Sequence, residues 1–591
     1  MLGNFFSENG PERYANGPEH ADISRVSHAV QQRDGTVLQR VRQRLNIQDG
    51  ERKGGALQFE LPRQIPQNDA AGLHAIPGAP NDIGRSAGCS DEQMKNGRKR
   101  NLLGIRGFIL EKRSRISQIR KIHGITLISG KMLFPHRLCA APNSESPTVM
   151  HRLFRSVQLQ ARTMASVSNI KSAEITQNVK PSVWVEFTQL AVEHKAVNLG
   201  QGFPDTPMPK FVADCMKHVA EHPEMVGWHQ YTRGFGHARL VNVLAKLYGD
   251  LYGVKIDPMN EILVTVGAYM ALYYAFNGWI NKGDQVIIIE PAYDCYLPQV
   301  IACGGVPVPI TMKLKKNATT SADYILDLNE LESKINEKTK MIVVNNPHNP
   351  TGKLYTRQEL EGIADLAKKY NLLVIADEVY EYHVWDKETI RMASLPGMWE
   401  RTISVGSAGK VFSVTGWKTG WALAPAHLLG PLKTVHQNCI FTLNTPTQES
   451  LAQAFEKEVE IIAKDINQSY LRKGLSGELK AKRDRLASML NKAGFKPIIP
   501  DSGYFMMADF SNFKGPFLEE KPGDDPLDFR FVRWLCKEKK LATIPPTAFY
   551  SEQFKKGNEN LIRLCYFKKD ETLDAAEKIL DEFAKEQGLA K

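Results

Sequence analysis

The sequence lacks any long uninterrupted apolar run. A membrane-spanning helix needs roughly 18 or more consecutive apolar residues, and no stretch of the 591 residues approaches that length. Apolar residues still make up 42% of the chain and charged residues 24%, which is the balance of a globular protein rather than a disordered one. We therefore predict a soluble protein without a membrane partner. Its length predicts about two to four domains.

Cysteine is scarce, and its spacing is irregular. No two of the eight cysteines form a CxxC pair, and His, Cys and carboxylates do not cluster at the spacing of metal ligands. The sequence therefore predicts no metal site and no disulfide framework, and it favours a reducing compartment. The cysteines are Cys89, Cys139, Cys215, Cys295, Cys303, Cys439, Cys536 and Cys565.

Acidic residues are outnumbered by basic ones, which gives a formal charge of +11 and an isoelectric point near 9.0. Much of the excess lies before residue 165, in runs such as KNGRKR (95–100) and KRSR (112–115). Such runs occur in segments that bind nucleic acid and in targeting segments, but they are more common in flexible segments exposed to solvent. Residues 1–165 are rich in Gln, Asn, Arg, Gly and Ser, so we predict a mostly disordered basic extension with one or two short helices.

The segment 150–173 has a distinct composition. It reads MHRLFRSVQLQARTMASVSNIKSA, with three arginines, one lysine and no acidic residue. On a helix its apolar and basic residues separate onto opposite faces, as in a mitochondrial presequence. Translation from Met150 would then give a mitochondrial form, and translation from Met164 a cytosolic one. The alternative is a chance basic helix in a tail.

From about residue 166 the chain alternates short apolar runs with helical segments. Apolar runs without polar alternation are typical of strands buried on both faces, so we predict an α/β fold with a mainly parallel sheet between helices. The predicted strands include 262–266, 286–289, 341–344, 372–376 and 402–405, and the predicted helices include 269–280 and 357–370. A helix at 478–490 and strands near 503–507 and 561–565 predict a smaller α+β domain. The predicted divisions are an arm and part of the small domain (166–214), a large domain (215–470) and a small C-terminal domain (471–591).

Four pieces of sequence with polar or small residues follow predicted strands. Because ligands of open α/β sheets bind outside the carboxyl ends of strands, we expect these pieces to meet at one edge of the sheet. The first piece is SVGSAGK (404–410) followed by VFSVTGWKTGW (411–421). Lys410 in this setting could form a Schiff base if burial or a neighbouring cation, such as Lys418, lowers its pKa. A lone lysine in a glycine-rich loop would be structural, but the whole string is far more specific.

The string SxxK followed by TGWKxGW resembles the cofactor-lysine motif of class I aminotransferases, in the fold-type I family of pyridoxal-phosphate enzymes. The resemblance implies that Lys410 holds pyridoxal 5′-phosphate covalently and acts as the catalytic base. It also implies that Lys418 and Ser407 contact the cofactor phosphate.

The second piece is LLVIADEVY (372–380), an apolar strand that ends in an acid. Such an acid is often a helix N-cap. A carboxylate beside the pyridine nitrogen would instead keep that nitrogen protonated and the ring electron-withdrawing. The resemblance assigns this role to Asp377, and it implies that Tyr380 donates a hydrogen bond to the phenolic oxygen of the cofactor.

The third piece is NNPHNPTG (345–352), which by itself predicts only tight turns. It is similar to the family motif NPxNPTG. That similarity implies that Asn349 contacts the phenolic oxygen of the cofactor and the substrate carboxylate.

The fourth piece is a strand leading into a helix through Gly267, Ala268 and Tyr269. Small residues at a helix start leave free N–H groups that face an anion. The resemblance places the cofactor phosphate there. It also implies that Tyr293 stacks on the cofactor ring, although on its own Tyr293 would be read as a core aromatic residue.

Arg563 lies in an otherwise apolar strand, LIRLCY (561–566). A buried arginine needs a partner, and its planar fork matches a carboxylate. The resemblance implies that Arg563 binds the substrate α-carboxylate, and the structural alternative is an internal ion pair.

The resemblance covers residues 175–591 and extends most closely to kynurenine aminotransferases, also known as glutamine transaminase K or cysteine-S-conjugate β-lyase. The strings SVWVEF (182–187), VNLGQGFPD (197–205) and QYTRGFG (230–236) support it. By this resemblance Gly202 contacts substrate, Trp184 forms part of an aromatic pocket, and Tyr231 reaches across a homodimer interface to the partner's phosphate. The segment FTLNTP (441–446) departs from close relatives and leaves the preferred amino acid open.

The expected function is therefore transfer of the amino group of kynurenine, and of other aromatic, sulfur or amide amino acids, to a 2-oxo acid. Kynurenine would give kynurenic acid, and cysteine-S-conjugate β-lyase activity is a possible side reaction. Two alternatives stay open at this point: another class I aminotransferase, acting on aspartate, alanine or general aromatic substrates, and a cofactor-sensing DNA-binding regulator. The regulator needs a helix-turn-helix before residue 165, and no convincing pair of helices is visible there. We expect no nucleic-acid partner.

Overall fold

The computed structural model describes residues 126–128, 131–133, 171–173, 182–521 and 523–589. The chain divides into two units, residues 1–144 and 145–591. In the first unit the described residues form two antiparallel strands, β1 (Thr126–Ile128) and β2 (Lys131–Leu133). We had predicted no strand there. Apart from these strands and residues 171–173, the predictions for 1–165 and 150–173 lie outside the described residues.

The second unit contains the strands that build the site. They are β3 (Val197–Asn198), β4 (Ile262–Val266), β5 (Gln285–Glu290), β6 (Val306–Thr311), β7 (Lys313–Leu314), β8 (Tyr324–Ile325), β9 (Thr339–Asn345), β10 (Leu373–Asp377), β11 (Thr402–Ser407), β12 (Thr419–Leu423), β13 (Lys496–Ile498), β14 (Phe505–Asp509), β15 (Leu541–Ala542) and β16 (Leu561–Cys565).

Most α-helices of this unit lie between strands in chain order, and three follow one another between β12 and β13. The α-helices are α1 (Val183–Glu193), α2 (Lys210–Ala220), α3 (Ala238–Tyr252), α4 (Gly267–Trp279), α5 (Tyr296–Ala302), α6 (Leu328–Ser333), α7 (Arg357–Lys369), α8 (Ala408–Val411), α9 (Ala426–Ile440), α10 (Thr445–Lys464), α11 (Leu475–Lys492), α12 (Leu527–Lys539), α13 (Glu552–Lys555) and α14 (Asp570–Glu586). In the part of the chain that the structure describes, no helix is long and apolar enough to cross a membrane.

Seven strands form one sheet in the order β4-β12-β11-β10-β9-β5-β6. The pairs β11/β10, β10/β9, β9/β5 and β5/β6 are parallel, and β12 runs antiparallel to both of its neighbours. The predicted α/β fold with a mainly parallel sheet is confirmed. The unit also holds a smaller antiparallel sheet, β13-β14-β16, so the α+β part of the prediction is confirmed as well. The boundaries predicted at 214 and 470 stay predictions.

The apolar strands lack polar alternation because both faces of the large sheet are buried. Along β9, Met341 and Val343 pack into one hydrophobic cluster, whereas Ile342 and Val344 pack into another. Along β10, Ile375 faces the first cluster and its neighbours face the second. Helices therefore cover both faces, and only the ends of the strands are free to carry polar groups.

The edge strand β6 was missed by the sequence analysis because it contains Pro307 and Pro309. Proline cannot donate to a sheet hydrogen bond, so it is confined to edges and bulges. In β6 the N–H of Val306 points inward to the carbonyl oxygen of Asp284 (2.8 Å). The alternating prolines therefore lie at positions that face the open edge.

Candidate active site

A single cavity of about 320 Å³ lies at the carboxyl ends of the parallel strands. Of the sequence-predicted site residues, all but one line it: Trp184, Gly202, Gly267, Ala268, Tyr269, Tyr293, Asn349, Asp377, Tyr380, Ser407, Lys410, Lys418 and Arg563. The exception is Tyr231, which is 83% exposed on the surface and packs against Phe441 with the ring centroids 5.8 Å apart. The four sequence pieces thus meet at one edge of the sheet, as expected. Their roles as ligands stay predictions.

The convergence follows from strand register. Asp377 ends β10 and lies opposite Asn345, the last residue of β9. Ser407 ends β11, the strand on the other side of β10. Because β12 is antiparallel, its first residue, Thr419, reaches the same edge and pairs with Val266 at the end of β4. Lys418 and Gly267 are therefore neighbours across two strand ends.

The amine of Lys410 lies inside the cavity wall, on the short helix α8 that follows β11. Its Nζ donates to the hydroxyl of Tyr504 (2.8 Å) and lies 3.4 Å from the carbonyl oxygen of Gly202. Burial lowers the pKa of Lys410 from 10.5 to about 8, and the positive charge of Lys418 acts in the same direction. At pH 7 about one tenth of the amine is therefore neutral and nucleophilic, far more than for an exposed lysine.

Asp377 is the only acidic residue that lines the cavity in the described part of the chain. Its Oδ2 accepts a hydrogen bond from the hydroxyl of Tyr296, whereas its Oδ1 is buried with no partner among the described residues. Burial raises the pKa of Asp377 to about 6. A buried, unpartnered carboxylate oxygen is costly unless a donor or a cation meets it, so this atom fits a protonated pyridine nitrogen.

The turn after β9 is held by side-chain amides. Asn345 donates from Nδ2 to the carbonyl oxygen of Asp377 (2.8 Å), and its Oδ1 accepts from the N–H of Asn349 (2.7 Å). These bonds fix the turn that carries Asn349 against the end of β10. The Oδ1 of Asn349 in turn accepts from Nη1 of Arg563 (3.0 Å).

Arg563 is fully buried in β16 and has no carboxylate partner in the described structure. It donates to Asn349 and to the carbonyl oxygen of Gly200 (3.0 Å), its Nε is unpartnered, and its guanidinium lies over the ring of Phe505 at 4.0 Å. The internal ion pair considered as an alternative is therefore not found among the described residues. Burial lowers the pKa of Arg563 to about 10, so the group stays charged at neutral pH and lacks an anion.

The far end of the cavity is built for an anion. Helix α4 begins at Gly267 without a side-chain cap, so its first N–H groups are free. Gly267 has φ +68°, and a Cβ placed on it would lie 3.4 Å from Nζ of Lys418. Ser407 lines the same cavity, and no carboxylate of the described residues pairs with Lys418. Free N–H groups, a hydroxyl and an unpaired ammonium fit a phosphate.

The charged side chains that line the cavity have a net positive charge, which favours the binding of anions. Three cationic side chains (Lys410, Lys418 and Arg563) face the cavity with one acid (Asp377). Aromatic rings supply much of the remaining wall. The residues present therefore fit an aromatic cofactor that carries a phosphate, with the guanidinium of Arg563 as the donor for a substrate carboxylate. In the described part of the chain, no cluster of His, Cys and acidic side chains could hold a metal ion.

Several cavity residues were missed by the sequence analysis. Tyr296 lines the cavity and Tyr504 lies behind its wall, and only folding brings their hydroxyls to Asp377 and Lys410. No sequence signal distinguishes them from core tyrosines. The other missed lining residues are Gln201, Phe203, Leu272, Asn345, Val379, Gly409, Thr415, Thr419 and Phe505.

Comparison with known proteins gives consistent matches. Residues 194–579 match the family model described as "Aminotransferase class I and II". A mouse protein named kynurenine--oxoglutarate transaminase 3 is 50% identical over 413 residues, which are 69% of this chain and 89% of the mouse protein. The human kynurenine--oxoglutarate transaminase 1 is 43% identical over 404 residues, 67% of this chain and 94% of the human protein.

Solved structures are similar over the same part of the chain. Bna3p from Saccharomyces cerevisiae, described as a putative kynurenine aminotransferase, superposes with a TM-score of 0.65 and is 31% identical. The match covers 70% of this chain and 99% of the yeast chain. YbdL from Escherichia coli, whose title states a methionine aminotransferase function, gives a TM-score of 0.61 at 29% identity, over 70% of this chain and 100% of that one.

Proposed function

Since the chain belongs to the family of class I and II aminotransferases, we propose that it transfers the amino group of kynurenine, and of other aromatic, sulfur or amide amino acids, to a 2-oxo acid. Family membership makes it a pyridoxal-phosphate-dependent transaminase acting on amino acids and 2-oxo acids. The observation that carries the proposal is a single one. The amine of Lys410, the free oxygen of Asp377 and the unpaired guanidinium of Arg563 line one cavity.

Kynurenine as the amino donor is supported by the wall around Arg563. Its guanidinium lies 5.0 Å from the ring centroids of both Trp184 and Phe549 and 4.0 Å from that of Phe505. A substrate whose carboxylate binds Arg563 would have its side chain near these aromatic rings. Aromatic or flat amide side chains suit such a wall. Relatives at 40–50% identity that carry the name kynurenine--oxoglutarate transaminase support the same choice.

When bound, pyridoxal phosphate supplies a carbonyl carbon that amines join and a protonated ring that draws electron density away from the substrate Cα. Asp377 would hold the proton on the ring nitrogen through its unpartnered Oδ1, and Tyr296 would keep the other oxygen in place. Tyr380 and Asn349 would donate to the phenolic oxygen. Lys418, Ser407 and the N–H groups at Gly267 would bind the phosphate.

Lys410 would join the cofactor at rest and release its amine when an amino acid arrives. The freed Nζ would then accept the proton from the substrate Cα and later give it back, so that Lys410 would act as general base and general acid. The substrate carboxylate stays on Arg563 and Asn349 throughout, which keeps the Cα–H bond near Nζ. A 2-oxo acid leaves, and a second one returns along the same path in a ping-pong cycle.

Cysteine-S-conjugate β-lyase activity is a further part of the proposal. After Lys410 removes the Cα proton, a substrate with a leaving group on Cβ can expel that group instead of completing the transfer. The same cavity residues serve both outcomes. Release of thiol, pyruvate and ammonia from a cysteine S-conjugate, without a 2-oxo acid acceptor, would test this part.

The most direct test is a panel of substrates assayed with a truncated chain that starts near Ser166. Kynurenine, glutamine, phenylalanine, aspartate, alanine and a cysteine conjugate are each assayed with several 2-oxo acids. We expect kynurenine to be turned over to a product that cyclises to kynurenic acid. Turnover of aspartate or alanine alone, at rates far above those of all aromatic donors, would favour the alternative class I activity and reject kynurenine.

A homodimer with shared active sites is also proposed. The observation that favours it is the exposure of Tyr231 (83%) and Phe441 (66%), two large aromatic residues packed on each other at the surface. Contiguous exposed apolar surface is typical of contact surfaces, and these two rings form such a patch. Tyr231→Asp should weaken both dimerisation, measured by analytical ultracentrifugation, and cofactor retention. A variant that is monomeric and retains the cofactor normally would contradict the shared site.

The localisation proposal concerns residues 150–173, of which only 171–173 are described. We propose a mitochondrial form that starts at or is processed near Met150 and a cytosolic form that starts at Met164. Imaging of tagged chains that start at Met1, Met150 and Met164 tests this. Identical distributions for all three would reject it.

A further inference from the structure

Tyr504 lies immediately before β14 and reaches the amine of Lys410. Its hydroxyl oxygen accepts a hydrogen bond from Nζ of Lys410 at 2.8 Å, and its own proton is donated to the carbonyl oxygen of Gly202 at 2.7 Å. The same carbonyl oxygen lies 3.4 Å from Nζ. The amine is therefore held between two oxygen atoms, one from a side chain and one from the backbone.

The ring of Tyr504 is fixed by aromatic packing. The rings of Tyr380 and His383 meet it edge-on, with centroids 5.1 and 5.6 Å away, and the ring of Phe505 lies at 4.7 Å. Tyr504 is only 1% exposed. The hydroxyl consequently has little freedom to leave the amine, because a rotation of the ring would disturb all of these contacts.

We propose that Tyr504 is a catalytic residue that holds the Lys410 amine during the stages in which the amine is free of the cofactor. A neutral amine carries two hydrogens and one lone pair. If the hydroxyl of Tyr504 and the carbonyl of Gly202 accept the two hydrogens, the lone pair is left for the proton on the substrate Cα. The inference rests on the proposed role of Lys410 as the attachment lysine and base.

The step moves one proton. The Cα–H bond of the substrate breaks, its electron pair stays with the substrate, and a third N–H bond forms on Nζ of Lys410. The resulting ammonium keeps its two oxygen acceptors while it carries the proton. It would then give that proton to the cofactor carbon that is bonded to the amino nitrogen and return to the neutral amine, so the proton shift needs no external oxidant or reductant.

No neighbouring ionisable group changes its protonation state in a way that would explain an effect of removing the Tyr504 hydroxyl. Burial raises the pKa of Tyr504 well above its usual value, so the hydroxyl keeps its proton, and burial lowers the pKa of His383 to about 3, so that ring stays neutral. The ionisable groups that face Lys410 from the surrounding elements are Asp377, Tyr380, His383, Lys418, Arg563 and Cys565. All of them remain when only the hydroxyl of Tyr504 is removed.

The variant Tyr504→Phe removes the hydroxyl and keeps the ring. Tyr566→Phe is the matched control, since Tyr566 is equally buried and its hydroxyl donates to a carbonyl, that of Gly503 (2.8 Å), without contacting Lys410. Near-UV circular dichroism of both variants checks that the aromatic packing is intact. The first readout uses apoprotein made from full-length holoenzyme, and it needs no substrate.

The rate at which apoprotein reattaches added pyridoxal phosphate is followed by absorbance across pH. Attachment requires the neutral amine, so the midpoint reports the pKa of Lys410. Loss of an acceptor that stabilises the ammonium should lower the midpoint by about one pH unit in Tyr504→Phe and leave Tyr566→Phe unchanged. An unchanged midpoint in Tyr504→Phe overturns the inference. A wild-type apoprotein that attaches no cofactor overturns both the inference and the proposed role of Lys410.

The second readout is turnover with the fastest amino donor of the substrate panel, with and without deuterium at Cα. We expect kcat of Tyr504→Phe to fall by roughly 10- to 100-fold and the isotope effect to rise, because proton transfer becomes slower. The KM of the donor should stay within about threefold, since Arg563 and Asn349 still bind its carboxylate. A kcat within twofold of the wild-type value, with an unchanged isotope effect, contradicts a catalytic role.

Discussion

The guanidinium of Arg563 donates a hydrogen bond to Oδ1 of Asn349 at 3.0 Å, although 214 residues separate them in the chain. Arg563 belongs to the small antiparallel sheet, and Asn349 belongs to the turn after β9 of the large sheet. The bond therefore joins the two sheets at the cavity. It also presents a fork of N–H donors beside an amide, which is the arrangement that a carboxylate requires.

Arg563→Lys keeps the positive charge and removes the planar fork. We expect KM for the amino donor to rise by roughly 10- to 100-fold, since a bidentate charged hydrogen bond is replaced by a point contact. Cofactor absorbance should be unchanged, because Arg563 bonds to Asn349 and to the carbonyl oxygen of Gly200 rather than to Lys410 or Lys418. Arg485→Lys, which alters an ion-pair cluster between exposed helices, is the control. Steady-state kinetics check the prediction, and an unaltered KM would show that the carboxylate binds elsewhere.

Asp377→Asn tests the acidic group at the end of β10. The amide cannot balance a positive ring nitrogen, so we expect kcat to drop by about 100- to 1,000-fold while the cofactor stays bound. Asp386→Asn, which breaks an exposed ion pair with Lys480, should have little effect. Single-turnover absorbance measurements separate loss of chemistry from loss of cofactor. Full activity in Asp377→Asn would exclude the proposed role.

Much of this site could be predicted because its parts are local in sequence. The strand Leu561–Cys565 was predicted with the observed bounds. A single arginine in an apolar strand indicates a buried charge that needs a partner. Likewise Asp377 was predicted at a strand end because an acid terminates an otherwise apolar run. In each case the apolar strand fixes where the residue lies in the fold, and the residue stands out because it is the one charged residue in an apolar run.

The rest could not be predicted because it depends on tertiary contacts. Tyr296 meets Asp377 across 81 residues, and Tyr504 meets Lys410 across 94. Neither tyrosine interrupts an apolar pattern, since tyrosine is ordinary in cores and at strand ends. The antiparallel strand β12 was also missed, because its first residues belong to the glycine-rich string read as a motif. Which hydroxyl faces which group is decided by packing, and no local pattern carries that information.

Tyr296→Phe should alter the pH dependence of the reaction. Burial raises the pKa of Asp377 to about 6, and the hydrogen bond from Tyr296 opposes that rise. Removing the bond should raise the pKa further, so the low-pH limb of kcat/KM should move to higher pH, by up to about one unit. Tyr274→Phe is the control, because the buried hydroxyl of Tyr274 has no partner among the described residues. A limb that stays in place, or moves to lower pH, would contradict the assignment.

Glu290→Gln should change how stability depends on pH. Glu290 is fully buried, accepts from the N–H and hydroxyl of Ser551 at 3.0 Å, and has its pKa raised by burial from 4.5 to about 7. Because the folded-state pKa lies above the unfolded value, its contribution to stability is full below pH 4.5 and is lost as pH rises through 7. The cost of ionising it, about 3 kcal/mol, is absent in the amide variant.

We therefore expect Glu290→Gln to be more resistant to urea than the wild-type protein at pH 8, with little difference at pH 5. Other buried acids, such as Glu378 and Asp528, are present in both proteins and cancel in the comparison. Glu330→Gln, in an exposed ion pair with Lys313, is the control. An equal urea midpoint shift at both pH values would mean that Glu290 is not the titrating group.

The central claim is that Lys410 carries the cofactor covalently. The holoenzyme, reduced with borohydride to fix the link and then digested, is analysed by peptide mass spectrometry. The account predicts a pyridoxyl-phosphate modification on Lys410, and loss of both the modification and the adduct absorbance in Lys410→Ala. A modification on Lys418 or another lysine, or an adduct that survives in Lys410→Ala, would contradict it.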